Sequence, residues 1–165
     1  PGTPSPRRIL FSPDGSRAYI LERSSGTVST IDTRTRQRTG QVDVGRDLNA
    51  MDISPAGDRL YIAGADAESL RLLDTTSLTV LTRLKLPFAA IDVAVSPNGD
   101  QVYLATDHRG GSIGVVNAAA TSVVGTIPIG GNPLLHLVVT PDGLRVVTND
   151  LGRFTYIVDV SGLAG

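Results

Sequence analysis

Ser12-Pro13-Asp14-Gly15 recurs three times along the chain, as Ser54-Pro55-Ala56-Gly57, Ser96-Pro97-Asn98-Gly99 and Thr140-Pro141-Asp142-Gly143. The spacings between the four copies are 42, 42 and 44 residues. A second marker, an aliphatic residue followed by Asp or Asn, keeps nearly the same step, at Ile31-Asp32, Leu73-Asp74, Val116-Asn117 and Val158-Asp159. Two markers that share one period identify a repeat protein, and the period decides its architecture.

Each repeat is predicted to form four short strands in an antiparallel meander. In the first copy the strands are expected at 8–11, 17–21, 27–31 and 40–44, joined by turns rich in Pro, Asp and Gly. No stretch shows a helical period, and segments such as 134–139 are apolar on both faces, so each sheet must pack between others. A ring of four-stranded sheets meets this need, and its repeat is about 40 to 50 residues long. The sequence therefore predicts an all-β protein, a β-propeller of four-stranded antiparallel blades.

The predicted blades span 7–46, 47–87, 88–131 and 132–165, after a Pro-rich linker at 1–6. The fourth blade is expected to lack its outer strand, and the linker is too short and too rich in Pro to supply one. Three interpretations remain open. The chain is part of a longer product with about seven blades, or two copies form one oligomeric ring of eight, or four blades close alone. We favour the larger ring within a longer product, and unpaired strand edges keep the two-chain ring close behind it.

Composition and motifs argue against several classes of protein. The 165 residues carry a net charge of −1 and no Cys, so we expect no nucleic-acid partner and no thiol chemistry. No apolar run approaches the ~20 residues that span a bilayer, so no membrane insertion is expected. The chain has no nucleophile elbow, phosphate-binding loop, dinucleotide fingerprint or zinc spacing. The sequence therefore predicts no cofactor, no metal and no catalytic set.

The first residue of each turn serves as a reference from which packing and channel positions can be counted. The positions three and one residues before it are apolar in every copy and are predicted to face neighbouring blades: Ile9, Met51, Val93 and Leu137, then Phe11, Ile53, Val95 and Val139. The positions four and two residues before it break the apolar pattern in four places, at Arg8, Asp52, Asp92 and His136. We predict that these four polar side chains point into the central channel and bind a ligand there.

Two loops are expected to extend this site. Residues 106–111 join the second and third strands of the third repeat, and residues 130–133 lead into the fourth. Both should lie on one face of adjacent blades, which would bring Asp107 and His108 towards His136. A general base there is chemically feasible, since His titrates near neutral pH.

The repeat resembles that of the YVTN-repeat β-propellers. The matching segments include Tyr19-Ile20-Leu21, residues 26–32 and Thr126-Ile127-Pro128-Ile129-Gly130, and the resemblance extends over residues 7–160. Proteins of this kind include surface-layer and cell-envelope proteins, lactonase-like enzymes and domains that accompany quinone or haem oxidation systems. The resemblance implies an extracytoplasmic location, whether periplasmic, cell-surface or secreted. It transfers no catalytic residues, because propellers host many unrelated activities.

Taken together, these features predict a non-catalytic propeller that binds a protein or small-molecule ligand at the channel face, or that serves as an envelope scaffold. The alternative is an enzyme or enzyme accessory, either a lactonase-like hydrolase or a redox-associated propeller. Such an enzyme would use the channel mouth around Asp92, His108 and His136. The expected protein partners are a second copy that completes a ring, or further blades in a longer chain.

Overall fold

The computed structural model describes residues 6–64, 69–106 and 110–163. In these residues the strands form four separate antiparallel sheets that follow one another in chain order. The first three sheets have four strands each, and the fourth has three within the described residues. The predicted all-β architecture of four antiparallel repeats is therefore confirmed, and the arrangement is propeller-like.

Each sheet is a simple meander. The first contains β1 (Pro6–Phe11), β2 (Arg17–Glu22), β3 (Thr27–Asp32) and β4 (Arg38–Asp43). The second contains β5 (Ala50–Ile53), β6 (Arg59–Gly64), β7 (Ser69–Asp74) and β8 (Thr79–Lys85). The third contains β9 (Ala90–Val95), β10 (Gln101–Thr106), β11 (Ser112–Asn117) and β12 (Val123–Pro128). The fourth contains β13 (Leu134–Val139), β14 (Arg145–Asp150) and β15 (Thr155–Asp159). Strand β1 begins at Pro6, a residue that the sequence places in the linker.

The repeated turn also connects neighbouring sheets. Gly57 has a φ of +76°, and a Cβ on it would lie 2.9 Å from Cδ of Pro13 in the preceding turn. The same Pro-to-Gly approach recurs, with 3.6 Å in each case, between Pro55 and Gly99 and between Pro97 and Gly143. The turn Pro of each sheet therefore lies against the turn Gly of the next, which keeps the four sheets in a regular series.

Three apolar clusters fill the spaces between successive sheets. Tyr19, Tyr61 and Tyr103 occupy the same repeat position in the first three sheets, and each is at most 2 % exposed. Burying a side chain of this size contributes about 1.5–3 kcal/mol. The core is therefore a set of inter-sheet layers, as expected for strands that are apolar on both faces.

The predicted packing positions of the second, third and fourth sheets are buried or half-buried. Met51, Val93 and Leu137 are at most 3 % exposed, and Ile53 and Val139 are half-buried against the apolar clusters. The contact of Ile9 and Phe11 with a neighbouring blade stays a prediction, and no described sheet covers these two residues, which are 55 % and 60 % exposed. The reason is their position on the face of the first sheet that points away from the second.

The fourth sheet exposes the opposite end of the series. Val138, Val147 and Ile157 are cross-strand neighbours and share one face of the sheet. Val138 is 60 % exposed and Ile157 is 70 % exposed. We call the face of the first sheet that carries Ile9 and Phe11, and the face of the fourth that carries Val138 and Ile157, the two end faces.

A short 3-10 helix, Ser161–Leu163, follows the last strand and is the single helical element among the described residues. None of the described helices is therefore long and apolar enough to cross a membrane.

Candidate ligand-binding site at the channel

The first strands of the four sheets converge on a common centre. Strands β1 and β5, β5 and β9, and β9 and β13 contact one another, and each is the edge strand of its own sheet. Edge strands present backbone N–H and C=O groups without a ladder partner. The centre of the molecule is therefore lined by free strand edges and by the side chains that alternate along them.

Asp92 is the point at which three sheets meet. Its Oδ2 accepts a hydrogen bond from Leu137 N–H at 3.1 Å and lies 3.4 Å from Nδ1 of His136, both in the fourth sheet. Its Oδ1 lies 3.8 Å from Nη2 of Arg8 in the first sheet. The Asp92 side chain is 5 % exposed, so this carboxylate is buried.

Asp52 in the second sheet likewise accepts a hydrogen bond from the backbone of the next sheet. Its Oδ2 accepts from Val95 N–H at 2.8 Å and its Oδ1 accepts from Ile53 N–H at 2.9 Å. Burial raises the pKa of the Asp52 carboxyl, the two N–H donors and Arg8 oppose that shift, and the nearby Asp92 reinforces it. Both carboxylates thus satisfy backbone donors on the edge strand of the next sheet.

Arg8 and His136 are the members of this group that face solvent. Their side chains are 38 % and 72 % exposed, and both lie against the buried Asp92. An imidazole that contacts Asp92 through Nδ1 leaves Nε2 accessible, so His136 can bind a ligand through that atom. The structure therefore brings together Arg8, Asp52, Asp92 and His136, as a joint between sheets with two accessible polar groups.

The loops expected to extend the site do meet, although Asp107 and His108 lie outside the described residues. Gly110 N–H donates to Gly131 O at 3.1 Å, and Gly130 N–H donates to Gly110 O at 2.9 Å. A Cβ on Gly111 would lie 2.5 Å from Asn132 O, which shows how closely the two backbones approach. Among the described residues, no group of three or more His, Cys, Asp or Glu side chains could hold a metal ion.

A further repeat position at the channel mouth escaped the sequence analysis. The residues five positions before each turn are Arg7, Asn49, Ile91 and Leu135, and all four line one cleft of about 330 Å³, together with His136. The same count from the turn would have found them. They were missed because two of the four are aliphatic, so the position shows no polar pattern.

No family model and no curated protein matches the chain. Among solved structures, 1431 chains match, so the fold is common and cannot by itself indicate one activity. One of these is hydrazine synthase from Kuenenia stuttgartiensis, with a TM-score of 0.91 and 26 % sequence identity. The match covers 98 % of this chain and 48 % of that one, so this chain spans about half the length of the structure it resembles.

These comparisons define the class of protein. The chain is an all-β protein with a propeller-like series of antiparallel sheets, and the high TM-score shows that the resemblance extends over nearly all of it.

Proposed function

We propose that this chain is a non-catalytic binding and scaffold unit of a β-propeller, and that its two end faces pack against further blades of the same kind. The observation that carries this proposal is the exposure of Ile9, Phe11, Val138 and Ile157. Ile9 occupies the repeat position that buried Met51, Val93 and Leu137 fill in the other sheets, and Phe11 occupies that of Ile53, Val95 and Val139. Apolar side chains in a packing pattern on an exposed sheet face mark a surface that another protein element covers.

The polar cluster supports a structural rather than a catalytic centre. Asp52 and Asp92 each accept, through Oδ2, a hydrogen bond from a backbone N–H of the next sheet. A carboxylate held in this way joins sheets and is poorly placed to take part in a reaction. The half-length match to a longer solved chain also supports a ring that contains more blades than these four.

Site-specific cross-linking tests the proposal, because the chain has no cysteine. If the end faces pack as the inner sheets do, the first-sheet face of one copy will meet the fourth-sheet face of another. We expect a mixture of Phe11→Cys chains and Ile157→Cys chains to give cross-linked dimers with a short bismaleimide. Each variant alone is the matched control and should stay uncross-linked. Equal cross-linking in either variant alone, or none in the mixture, would contradict head-to-tail packing.

A second function, as an enzyme or enzyme accessory, is favoured by one pair of residues. His136 lies against the buried Asp92 with most of its imidazole exposed, which is the arrangement of an oriented general base. The solved relative is also named as an enzyme. If the chain is a lactonase-like hydrolase, it should open small lactones, and His136→Ala should slow this at least about 100-fold. Absence of turnover above buffer in the unmodified chain would contradict the hydrolase.

The four-fold match to the YVTN repeat pattern supports a further proposal, that the chain works outside the cytoplasm. Fractionation of host cells with an antibody against the chain is the direct test. Recovery in the periplasmic, surface or secreted fraction is expected, and recovery with cytoplasmic markers would contradict it.

A further inference from the structure

The repeat position five residues before each turn differs in its chemistry from the apolar packing positions. The residues five positions before the turns are Arg7, Asn49, Ile91 and Leu135, so the four sheets contribute a cation, an amide and two aliphatic side chains to the same cleft. The packing positions of the repeat are apolar in every sheet. Since the fold accepts such different residues here, this position is free to be specialised for a ligand.

The polar side of the cleft lacks partners. Arg7 is exposed and makes no hydrogen bond or ion pair with the described part of the chain. Asn49 is fixed by its backbone N–H, which donates to Ala63 O at 3.0 Å, while its side-chain Oδ1 is buried without a partner. A buried unpaired oxygen of this kind costs about 1–3 kcal/mol, so a donor from a bound water would be stabilising; a carboxylate ligand accepts hydrogen bonds only and would be held by Arg7 instead.

The opposite side of the cleft is aliphatic and open. Ile91 and Leu135 face it from the third and fourth sheets, and Leu151 adds a side chain that is 61 % exposed. Small-molecule sites combine an apolar wall with a few polar groups, and they begin at about 300 Å³. The cleft has this composition and lies at the small end of that range.

We propose that this mouth cleft binds a small monocarboxylate with an aliphatic body. The guanidinium of Arg7 pairs with the carboxylate, because its planar fork matches two carboxylate oxygens. Ile91, Leu135 and Leu151 pack against the aliphatic part. Arg7 is the one Lys or Arg among the residues that line the cleft, so a ligand with a single negative charge matches the site better than a phosphate or a dicarboxylate. This inference rests on the proposed function only in taking the chain to be a binding protein.

Titration with octanoate tests the charge and the tail separately. Chemical-shift titration of the ¹⁵N-labelled chain should show saturable binding of octanoate centred on residues of the cleft. Acetate has the charge without the tail, and octylammonium has the tail with the opposite charge. Both should bind at least about tenfold more weakly, since each loses roughly 1.4 kcal/mol or more of interaction. Octylammonium binding as tight as octanoate binding would overturn the proposal.

Two variants and a matched control locate the site. Arg7→Gln should weaken octanoate binding about tenfold or more, because it removes a charge-assisted pair. Arg34→Gln removes an exposed Arg from the turn after β3 and should leave binding unchanged. Leu151→Asn should weaken octanoate but not acetate. Equal affinity in Arg7→Gln and Arg34→Gln would overturn the proposal.

The outcome is separable from that of the scaffold proposal, because cross-linking between end faces does not involve the cleft. Octanoate binding without end-face association would contradict the scaffold and leave the ligand site standing. End-face association with no octanoate binding would overturn the ligand site alone.

Discussion

Asp92 shows how one side chain can join three sheets. It is 4 % exposed, accepts a hydrogen bond from Leu137 N–H and lies against both Arg8 and His136. A buried carboxylate is tolerated only when it is paired and hydrogen-bonded, and Asp92 meets both conditions. Through Leu137 and His136, Asp92 holds the first strand of the fourth sheet against the third sheet.

Replacing Asp92 should therefore lower stability in a graded way. Asp92→Ala leaves the Leu137 N–H without its acceptor and should reduce the free energy of unfolding by about 2–3 kcal/mol. Asp92→Asn keeps one acceptor oxygen and should cost less. Urea unfolding of the three proteins checks this order, and equal stability of all three would show that the carboxylate holds nothing together.

Arg71 is a second buried charged residue, and unlike Asp92 it has side-chain atoms without hydrogen bonds to the described residues. It lies on β7 directly opposite Arg83, is 9 % exposed, and its Nε and Nη1 have no hydrogen-bond partner among the described residues. Burial lowers the pKa of its guanidinium, and Arg83 lowers it further while Asp43 opposes the shift. A nearly buried cation without a hydrogen-bonded partner is a cost to the fold.

Arg71→Met should accordingly stabilise the protein by about 1 kcal/mol or more, since it removes an unpaired charge and keeps the aliphatic bulk. Arg83→Met, on the exposed neighbour, should change stability by less than about 0.5 kcal/mol. Thermal and urea unfolding measure both. A clear loss of stability in Arg71→Met would mean that the guanidinium has a partner in solution.

Residue-level prediction from the sequence succeeded where the repeat supplied a reference. Counting from the turn identified Arg8, Asp52, Asp92 and His136 as exceptions, and the structure places them around one centre. The count could not show that Asp52 and Asp92 reach across to the next sheet, because that depends on the separation between sheets. Nor could it identify Arg71 as buried, because Ser69, Leu70, Arg71 and Leu72 alternate between polar and apolar residues, which predicts an exposed position for Arg71.

Among the elements, the repeated turn has a double role. It closes a hairpin, and its Gly leaves room for the Pro of the previous turn. Gly15, in the first turn, has a φ of +70° and nothing within 4 Å of a Cβ, whereas Gly57 has a similar φ and Pro13 at 2.9 Å. Comparing substitutions at Gly15 and Gly57 therefore distinguishes the cost of a positive φ from the cost of a contact between sheets.

Gly57→Ala should therefore destabilise the protein more than Gly15→Ala. Both variants carry the cost of positive φ in a residue with a Cβ, about 1 kcal/mol. Gly57→Ala also pushes against Pro13 and should cost a further 1 kcal/mol or so, within the range for overpacking. Unfolding midpoints of the two variants give the comparison. Equal losses would show that the turns do not lock the sheets.

The carboxylate of Asp14 in the first repeated turn should make the stability of the protein depend on pH in the acid range. Hydrogen bonds from the Ser12 hydroxyl, and then from Ser16, lower the pKa of Asp14 from 3.8 to about 2. A lowered native pKa stabilises the fold above the unfolded value, and this contribution is lost as the pH falls from about 3.8 to 2. The urea midpoint should therefore fall over that window, and less steeply in Asp14→Asn. Parallel curves for the two proteins would contradict this role.

The strands themselves were predictable because β-branched runs and Pro-Gly turns alternate with one period. Their ends were less so, and β1 starts at Pro6 because an edge strand can accommodate a residue without an N–H.

At the scale of the whole molecule, the most informative feature is the pair of exposed end faces. Ile9 and Phe11 follow the packing pattern, yet no described sheet covers them. The repeat pattern predicts which side chains of a sheet pack against a neighbouring sheet. It does not show whether the neighbouring sheet belongs to the same chain. The two faces are therefore the strongest structural argument that these four sheets act within a larger assembly.

The most direct test of that claim is the molar mass of the chain in solution, measured by light scattering over a range of concentrations. The account predicts a mass that rises above the 17.3 kDa of one chain, and a return towards that value in Ile157→Arg, which places a charge on one end face. Leu81→Arg, on an exposed side chain outside the end faces, should associate like the unmodified chain. A 17.3 kDa monomer at every concentration, unchanged by Ile157→Arg, would contradict the account.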